Sequence, residues 1–387
     1  VKVALIIEHL DPARGGAECS CLEMAQLLAG EGLQVCVITG KAGPAAQSDD
    51  GFEIIDLGIK GYSRLKVLKT FLVQTQKLID KRGFDIVHAI TPIPGADIYQ
   101  PRGGLIDETF RRTMAKHGPT GAAVRNIIGP NHKQRYLRRI ERYLAYETPC
   151  RFLAVSDYVR RQFREHLELP DARITVIYNG VNIERFIRPV DPKASSHLRE
   201  ILGIADDHLV GLFVANNLKL KGMDPLLASM RYLASTNAAL VKRLKIIVVG
   251  TDDFWPYYKK AERWGLVDKI VFLGPAKDVS RLYLPADFLV HPTWYDPCSR
   301  VVLEAIACQL PSITSNYNGA AEIIRQADCG LVVNDLSQPS ELARAIETLA
   351  DDDYRKRLAG NCIAARKQIS MERHIRELID LYKDMTK

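Results

Sequence analysis

Short apolar runs rich in β-branched residues alternate with helical patterns along this chain, and the scheme occurs twice. In the first half the runs are Val3–Ile7, Gln34–Thr39, Ile54–Leu57, Asp85–Ala89 and Phe152–Ser156. In the second they are Val210–Ala215, Lys245–Gly250, Ile270–Leu273, Phe288–His291, Pro311–Thr314 and Gly330–Val333. Each run has the length of a strand buried on both faces, and amphipathic stretches lie between most of them. That alternation predicts α/β domains with parallel strands and crossover helices.

A length of 387 residues suits two domains. Between the two series lies Ile187-Arg188-Pro189-Val190-Asp191-Pro192-Lys193, whose two prolines mark a linker. The expected organisation is therefore a first domain over 1–188 and a second over 189–369. The helical pattern Glu372–Tyr382 has no strand after it, so residues 370–387 are expected to pack back on the first domain. Two doubly wound domains on one linker make a cleft, and ligands of such sheets bind at the carboxyl ends of the strands.

Hydrophobic residues make up 47% and charged residues 26%, as in an ordinary globular chain. No apolar run reaches the roughly 18 residues that span a bilayer. Val1–Ile7 reads as a first strand and not as a signal peptide. None of the eight cysteines forms a Cys-x-x-Cys pair, which argues against a structural metal or disulfide framework and for a reducing, cytoplasmic setting. The net charge is +7, yet Arg102–Arg164 alone holds 14 Lys/Arg against 5 Asp/Glu. A local anionic partner fits that placement better than a generally basic surface.

Five segments can carry chemistry. Arg14-Gly15-Gly16-Ala17-Glu18 follows the first strand and opens a helix, where paired glycines let backbone amides approach an anion; it equally suits a tight turn. The fingerprint G-x-G-x-x-G is absent, which weakens a dehydrogenase reading. Lys219-Leu220-Lys221-Gly222 follows Val210–Ala215 and can present Lys221 to phosphate. In His291-Pro292-Thr293-Trp294-Tyr295-Asp296-Pro297-Cys298-Ser299-Arg300-Val301-Val302-Leu303-Glu304, a strand ends, a loop follows and a helix begins near Ser299. Its first amides suit a diphosphate, and Asp296 and Glu304 can hold two ends of one extended ligand. Glu304 lies inside the apolar run Val301–Ala307, and a charge there needs a partner or a purpose. Asn318-Gly319-Ala320-Ala321-Glu322 is a further strand-to-helix turn, read either as a phosphate approach or as a plain helix start.

The fifth segment spans 132–147. Tyr136, Leu137, Ile140, Tyr143 and Leu144 form a helical stripe, and Lys133, Arg135, Arg138, Arg139 and Arg142 cover the rest. Such a helix suits an anionic membrane surface, a packed and solvated face, or a pocket for a phosphorylated acceptor.

In their order, these landmarks resemble the retaining GT-B glycosyltransferases marked by Glu, seven residues, Glu, of group 1 and family 4. Gly15-Gly16-Ala17-Glu18, Val155-Ser156-Asp157, Val176-Ile177-Tyr178-Asn179-Gly180, Lys221-Gly222, Glu304-Ala305 and Gly319-Ala320-Ala321-Glu322 match along about 300 residues. Within that group the chain is most similar to bacterial lipopolysaccharide core glucosyltransferases, through Pro94-Gly95-Ala96-Asp97, the basic helix and His291-Pro292.

The resemblance implies two Rossmann-like domains facing each other across a cleft. It implies transfer of a hexose, glucose above others, from a UDP-sugar to a lipid-linked or lipopolysaccharide-core-type acceptor at the inner membrane face. Lys221 would neutralise the diphosphate, with Gly15, Gly16 and the amides of Ser299, Arg300 and Val301 also on the donor. Glu304 would bind the ribose and Asp296 would face the sugar. Asp97 and Arg102 would lie on the acceptor side. No metal, cofactor or nucleic acid is implied. Three departures stand out: Asp296 replaces the family's first Glu, Leu220 stands near the place of its arginine, and Tyr99–Gly104 lacks its histidine, which neither His88 nor His117 clearly replaces. Nucleotide-sugar epimerisation and ligand binding without turnover are the alternative activities.

Overall fold

The computed structural model describes residues 1–13, 15–46, 51–115, 123, 129–187, 192–276 and 278–387. Two compact units divide the chain: Val1–Asn179 with Glu372–Lys387, and Gly180–Met371. The expected linker centre at 188–191 lies outside the described residues, and the packing changes unit earlier, after Asn179.

In the first unit the order is β1 (Lys2–Leu10), α1 (Gly16–Gly30), β2 (Gln34–Ala42), β3 (Phe52–Asp56), α2 (Arg64–Arg82), β4 (Ile86–Ala89) and β5 (Ile98–Tyr99). Then come α3 (Ile106–Ala115), α4 (His132–Tyr146), β6 (Arg151–Ala154), α5 (Asp157–Leu167) and β7 (Ile174–Val176). The seven strands are parallel, in the order β3-β2-β1-β4-β5-β6-β7. β1 is central, and Val3, Ala4, Leu5 and Ile6 are fully buried because helices cover both faces.

The second unit runs α6 (Ile183–Phe186), α7 (Pro192–Ile201), β8 (Leu209–Val214), α8 (Met223–Thr236), α9 (Ala238–Arg243), β9 (Leu244–Val249), α10 (Trp255–Arg263) and β10 (Ile270–Gly274). It continues with β11 (Phe288–His291), α11 (Arg300–Ala307), β12 (Ser312–Ser315), α12 (Ala321–Ala327), β13 (Gly330–Val333), α13 (Pro339–Thr348) and α14 (Asp352–Ile369). Its six parallel strands are ordered β10-β9-β8-β11-β12-β13. Phe213, Leu226, Met230, Val248, Phe288 and Ile346 form part of one apolar core.

Each sheet reverses its winding once, between β1 and β4 and between β8 and β11. The carboxyl ends of such strands are where a doubly wound sheet takes its ligand.

The last helix, α15 (Met371–Met385), lies with the first unit from Glu372 onward. Tyr382 Oη is 2.7 Å from His88 Nδ1, and His374 Nδ1 is 2.8 Å from the Tyr178 carbonyl oxygen. Burial and the nearby Arg102 push His88 down to about 3, so it stays neutral in the core. His88 is thus a packing residue on β4, and His117 lies outside the described residues.

Candidate functional site

The second sheet's switch point gathers two loops. One follows β8 and carries Lys221; the other follows β11 and leads through Asp296 into α11. Gly222 lets them meet. Its φ is +91°, and a Cβ there would stand 2.0 Å from the Pro292 carbonyl oxygen. Only glycine fits such a position without displacing backbone. The Trp294 amide donates to the Leu220 carbonyl at 2.9 Å, which sews the loops together.

Lys221 Nζ donates to Asp296 Oδ2 at 2.6 Å and reaches the Tyr295 carbonyl at 3.4 Å. His291 Nε2 lies 3.8 Å from the same carboxylate oxygen. Burial by itself would raise the Asp296 carboxyl, but Lys221 and His291 outweigh it and hold it well below the usual carboxylate range. Burial lowers the His291 imidazole, so the ring stays neutral and the ammonium is the charge that Asp296 faces.

The start of α11 is held by a side chain from the next turn. Buried Asn318 accepts from the Ser299 amide at 3.1 Å and from the Ala320 amide at 3.0 Å, and donates to Thr314 Oγ1 at 2.9 Å. Ser299 is the N-cap residue, but its own hydroxyl does not cap the helix. The Ser299 amide expected on the diphosphate is therefore engaged by Asn318, whereas the Arg300 and Val301 amides belong to the first turn, which has no intrahelical acceptors. The Gly319 amide donates to the Asp296 carbonyl at 3.0 Å, so the Gly319–Ala321 turn packs on the Asp296 loop.

Glu304 sits one turn into α11 with its side chain 14% exposed, which rules out a simple solvated carboxylate. Tyr283 Oη donates to Glu304 Oε2 at 2.8 Å, and Arg300 Nε is 3.8 Å from Oε1. Tyr283 is fully buried, and burial followed by the Glu304 charge pushes its phenol well up, so it remains a donor. Phe186 packs edge-on against its ring, 5.8 Å between centroids. Tyr283 and Asn318 position the site: Asn318 lies in a turn that the sequence marked, without its role at Ser299, and Tyr283 had no mark. The one available signal was a tyrosine within the apolar stretch before β11, which needs a hydrogen-bond partner once buried.

Lys221, Asp296, Ser299, Arg300, Val301 and Glu304 thus all belong to the second unit, on two loops and one helix. Gly15 and Gly16 belong to the first, where Gly15 caps α1 in an extended conformation. A Cβ on Gly15 would meet only Glu18 Oε2, at 3.5 Å, an ordinary contact. The local fold therefore does not demand glycine there; Arg14 lies outside the described residues.

Asp97 and Arg102 are placed apart, at opposite ends of β5. Asp97 precedes the strand and accepts from the Val87 amide at 2.8 Å, a tie between β4 and β5 at their amino ends. Arg102 follows the strand and is buried. It donates to Ser20 Oγ, to Asn179 Oδ1 at 3.1 Å, and lies 3.3 Å from His374 Nε2, so it fastens α1 and α15 to the sheet.

Helix α4 differs from its sequence stripe. Leu137, Ile140, Glu141, Leu144 and Ala145 are buried, while Tyr143 and Tyr146 are 45% and 57% exposed. Lys133 and Arg138 are committed to Glu8 and Asp107 at 2.6 and 2.8 Å, leaving Arg135, Arg139 and Arg142 exposed. Among the described residues no helix is long and apolar enough to cross a membrane, and no group of three His, Cys, Asp or Glu side chains is placed to hold a metal ion.

Residues 14–185 match the family model described as Glycosyltransferase Family 4, and residues 195–368 match Glycosyl transferases group 1. The chain is 25% identical to an uncharacterized glycosyltransferase, MJ1607, of Methanocaldococcus jannaschii, over 99% of this chain and 98% of that protein. It is 24% identical to the lipopolysaccharide glucosyltransferase WaaG of Escherichia coli K12, over 95% and 92%. The crystal structure of WaaG superposes with a TM-score of 0.83 at 21% identity, covering 98% of this chain and 99% of that one. Anabaena HepE in complex with UDP-glucose gives a TM-score of 0.75 at 19% identity, covering 99% of each chain. The likeness to WaaG places the fold as GT-B.

Proposed function

This chain belongs to the group 1 and family 4 glycosyltransferases, and on that premise we propose that it moves a hexose, glucose in first place, from a UDP-sugar to a lipid-linked or lipopolysaccharide-core-type acceptor, with retention at the anomeric carbon. One observation carries the donor side: Lys221 and Asp296 meet at the switch point of the second sheet, at the foot of the helix that bears Glu304. A related protein named as a lipopolysaccharide glucosyltransferase and a structural neighbour holding UDP-glucose support the donor and acceptor classes.

In this reading Lys221 and the first turn of α11 take the charge of the donor diphosphate, so no metal ion is needed. Glu304, aligned by Tyr283, accepts hydrogen bonds from the ribose hydroxyls. Asp296 faces the sugar. The acceptor hydroxyl attacks from the face that the diphosphate leaves, and its proton passes to the departing phosphate oxygen. The site of action is the inner face of the cytoplasmic membrane, approached through the exposed arginines of α4.

Purified protein incubated with a panel of nucleotide sugars and lipid acceptors, read by mass, should consume one donor. Consumption that survives Glu304→Ala would overturn the site. A second reading, donor binding without transfer, draws on the Lys221–Asp296 pair, since that carboxylate already satisfies the lysine. UDP binding by calorimetry with no turnover on any acceptor would select it.

A further inference from the structure

His291 ends β11 with an imidazole that the local fold does not use. Its side chain is 1% exposed, and among the described residues neither ring nitrogen has a hydrogen-bond partner. Phe213 lies beside it, 6.4 Å between ring centroids. The strand end is held through the backbone instead, where the His291 carbonyl accepts from Thr314 Oγ1 at 2.9 Å and from the Thr293 amide at 2.8 Å. A buried polar group without a partner costs stability, and an apolar side chain of similar shape removes that cost. Packing alone therefore gives no reason for a histidine here.

The reason lies across the loop. His291 Nε2 is 3.8 Å from Asp296 Oδ2, about 1 Å beyond a hydrogen bond. The rest of Asp296 is pinned. Its amide donates to the Tyr317 carbonyl at 2.8 Å, its carbonyl accepts from the Gly319 amide at 3.0 Å, and Oδ1 accepts from the Cys298 amide at 3.2 Å. Oδ2 stands between two groups, the Lys221 ammonium at 2.6 Å and the His291 ring at 3.8 Å. The ammonium holds it, because a charge-assisted hydrogen bond is the stronger one. A diphosphate at the first turn of α11 changes this balance. It carries more charge than one carboxylate and takes the ammonium, which leaves Oδ2 charged in a largely buried place.

On the transferase reading above, we propose that His291 is a positioning residue for the donor complex: when the diphosphate draws Lys221 away, the Asp296 carboxylate turns to His291 and accepts a hydrogen bond from Nε2. Asp296 thus passes from a lysine to an imidazole without moving its backbone, and stays aimed at the sugar. Burial keeps the ring uncharged, so it gives this bond without competing with Lys221 for the phosphate. In the tautomer required, Nε2 carries the one ring proton.

The test uses the full chain with UDP as the probe. His291→Leu, His291→Gln, Asp296→Asn and the double variant His291→Leu with Asp296→Asn are titrated by calorimetry and melted. His291→Leu should melt no lower than the unaltered protein, since it removes an unpartnered polar ring. Its UDP affinity should nevertheless fall about tenfold, because Asp296 then keeps its hold on Lys221. In the Asp296→Asn background the same replacement should cost less than about twofold, as a coupled pair requires. His291→Gln, whose amide can reach the place of Nε2, should recover most of the loss. Nitrogen-15 NMR of labelled histidines in the unaltered chain should show one Nε2–H proton gaining protection when UDP is added, a signal that the His291 variants lack.

UDP binding by His291→Leu equal to the unaltered protein's overturns the proposal. So does a tenfold loss that persists in the Asp296→Asn background, or an imidazole signal that UDP leaves unchanged. Absence of UDP binding in the unaltered protein sinks the transferase reading instead.

Discussion

Lys221 Nζ and Asp296 Oδ2 lie 2.6 Å apart, on loops that follow the adjacent strands β8 and β11. In the proposed reading a donor diphosphate and Asp296 compete for one ammonium. Removing the ammonium with Lys221→Ala should weaken UDP binding by about tenfold or more, since hydrogen bonds to charged groups contribute about 1.5–3 kcal/mol. Removing the competing charge with Asp296→Asn should strengthen UDP binding several-fold while lowering turnover. Calorimetry with UDP beside steady-state rates separates the two effects. Weaker UDP binding in Asp296→Asn would show that the carboxylate positions Lys221 rather than opposing the ligand.

Tyr283 supplies the second relationship. Tyr283→Phe removes the Tyr283 hydrogen bond to Glu304 inside a largely buried site. Such a loss costs about 1–3 kcal/mol. It should appear as a lower melting temperature and as a donor KM raised about fivefold or more, with kcat changed less. A donor KM equal to the unaltered protein's would place Glu304 away from the ribose.

Gly222 predicts a stability effect of different origin. Alanine there meets a positive φ and the Pro292 carbonyl together. Gly222→Ala should therefore destabilise by about 1–3 kcal/mol and shift the loop that carries Lys221. Thermal melting and UDP titration on the same sample measure both consequences. A variant with normal stability and normal UDP affinity would refute the close approach of the two loops.

These relationships differ in how far the sequence discloses them. Most strands of both sheets were legible because burial on two faces makes a strand a largely apolar run, as in the Leu209–Val214 stretch of β8. β5 and β7 escaped, since strands of two and three residues are too short to carry a pattern. The prolines near 189 drew the expected boundary, but the chain changes unit after Asn179, before Val181 pairs with Ser370 in the second unit. Glu304 was legible as a charge inside an apolar run. Tyr283, 21 residues upstream, was not, and Asn318, 19 residues beyond Ser299, was marked only as part of a turn, because the partners of both are chosen by tertiary packing.

Glu141 gives the fold a stability that falls with rising pH. Burial raises its carboxyl from 4.5 to about 8, against the opposing bonds from Tyr99 Oη at 2.7 Å and the Ile106 amide. The folded state then binds more protons than the unfolded state between these values, so stability falls as pH rises through that window. This contribution is whole below the unfolded value near 4.5 and gone above about 8. Glu141→Gln keeps a neutral acceptor for Tyr99 and should flatten the melting temperature between pH 5 and pH 8, about the window set by linkage. Parallel curves for the two proteins would mean that Glu141 is ionised throughout.

The exposed face of α4 makes the last prediction. Arg135, Arg139 and Arg142 recur at helical spacing beside Tyr143 and Tyr146, 45% and 57% exposed, while Leu137, Ile140 and Leu144 face inward. A cationic face flanked by amphipathic aromatic rings suits the headgroup region of an anionic bilayer. Each arginine near such a surface contributes about 1 kcal/mol, so Arg135→Ala, Arg139→Ala and Arg142→Ala together should weaken binding to phosphatidylserine vesicles by about a hundredfold. Because the attraction is Coulombic, raising the salt toward 1 M, where the screening length is about 3 Å, should release the unaltered protein as well. Phosphatidylcholine vesicles should hold neither form, since the tyrosines alone bury too little apolar surface. Equal sedimentation of the triple variant and the unaltered protein with phosphatidylserine would leave α4 as a solvated helix whose arginines serve solubility, and would remove the membrane from the proposed setting of the transfer.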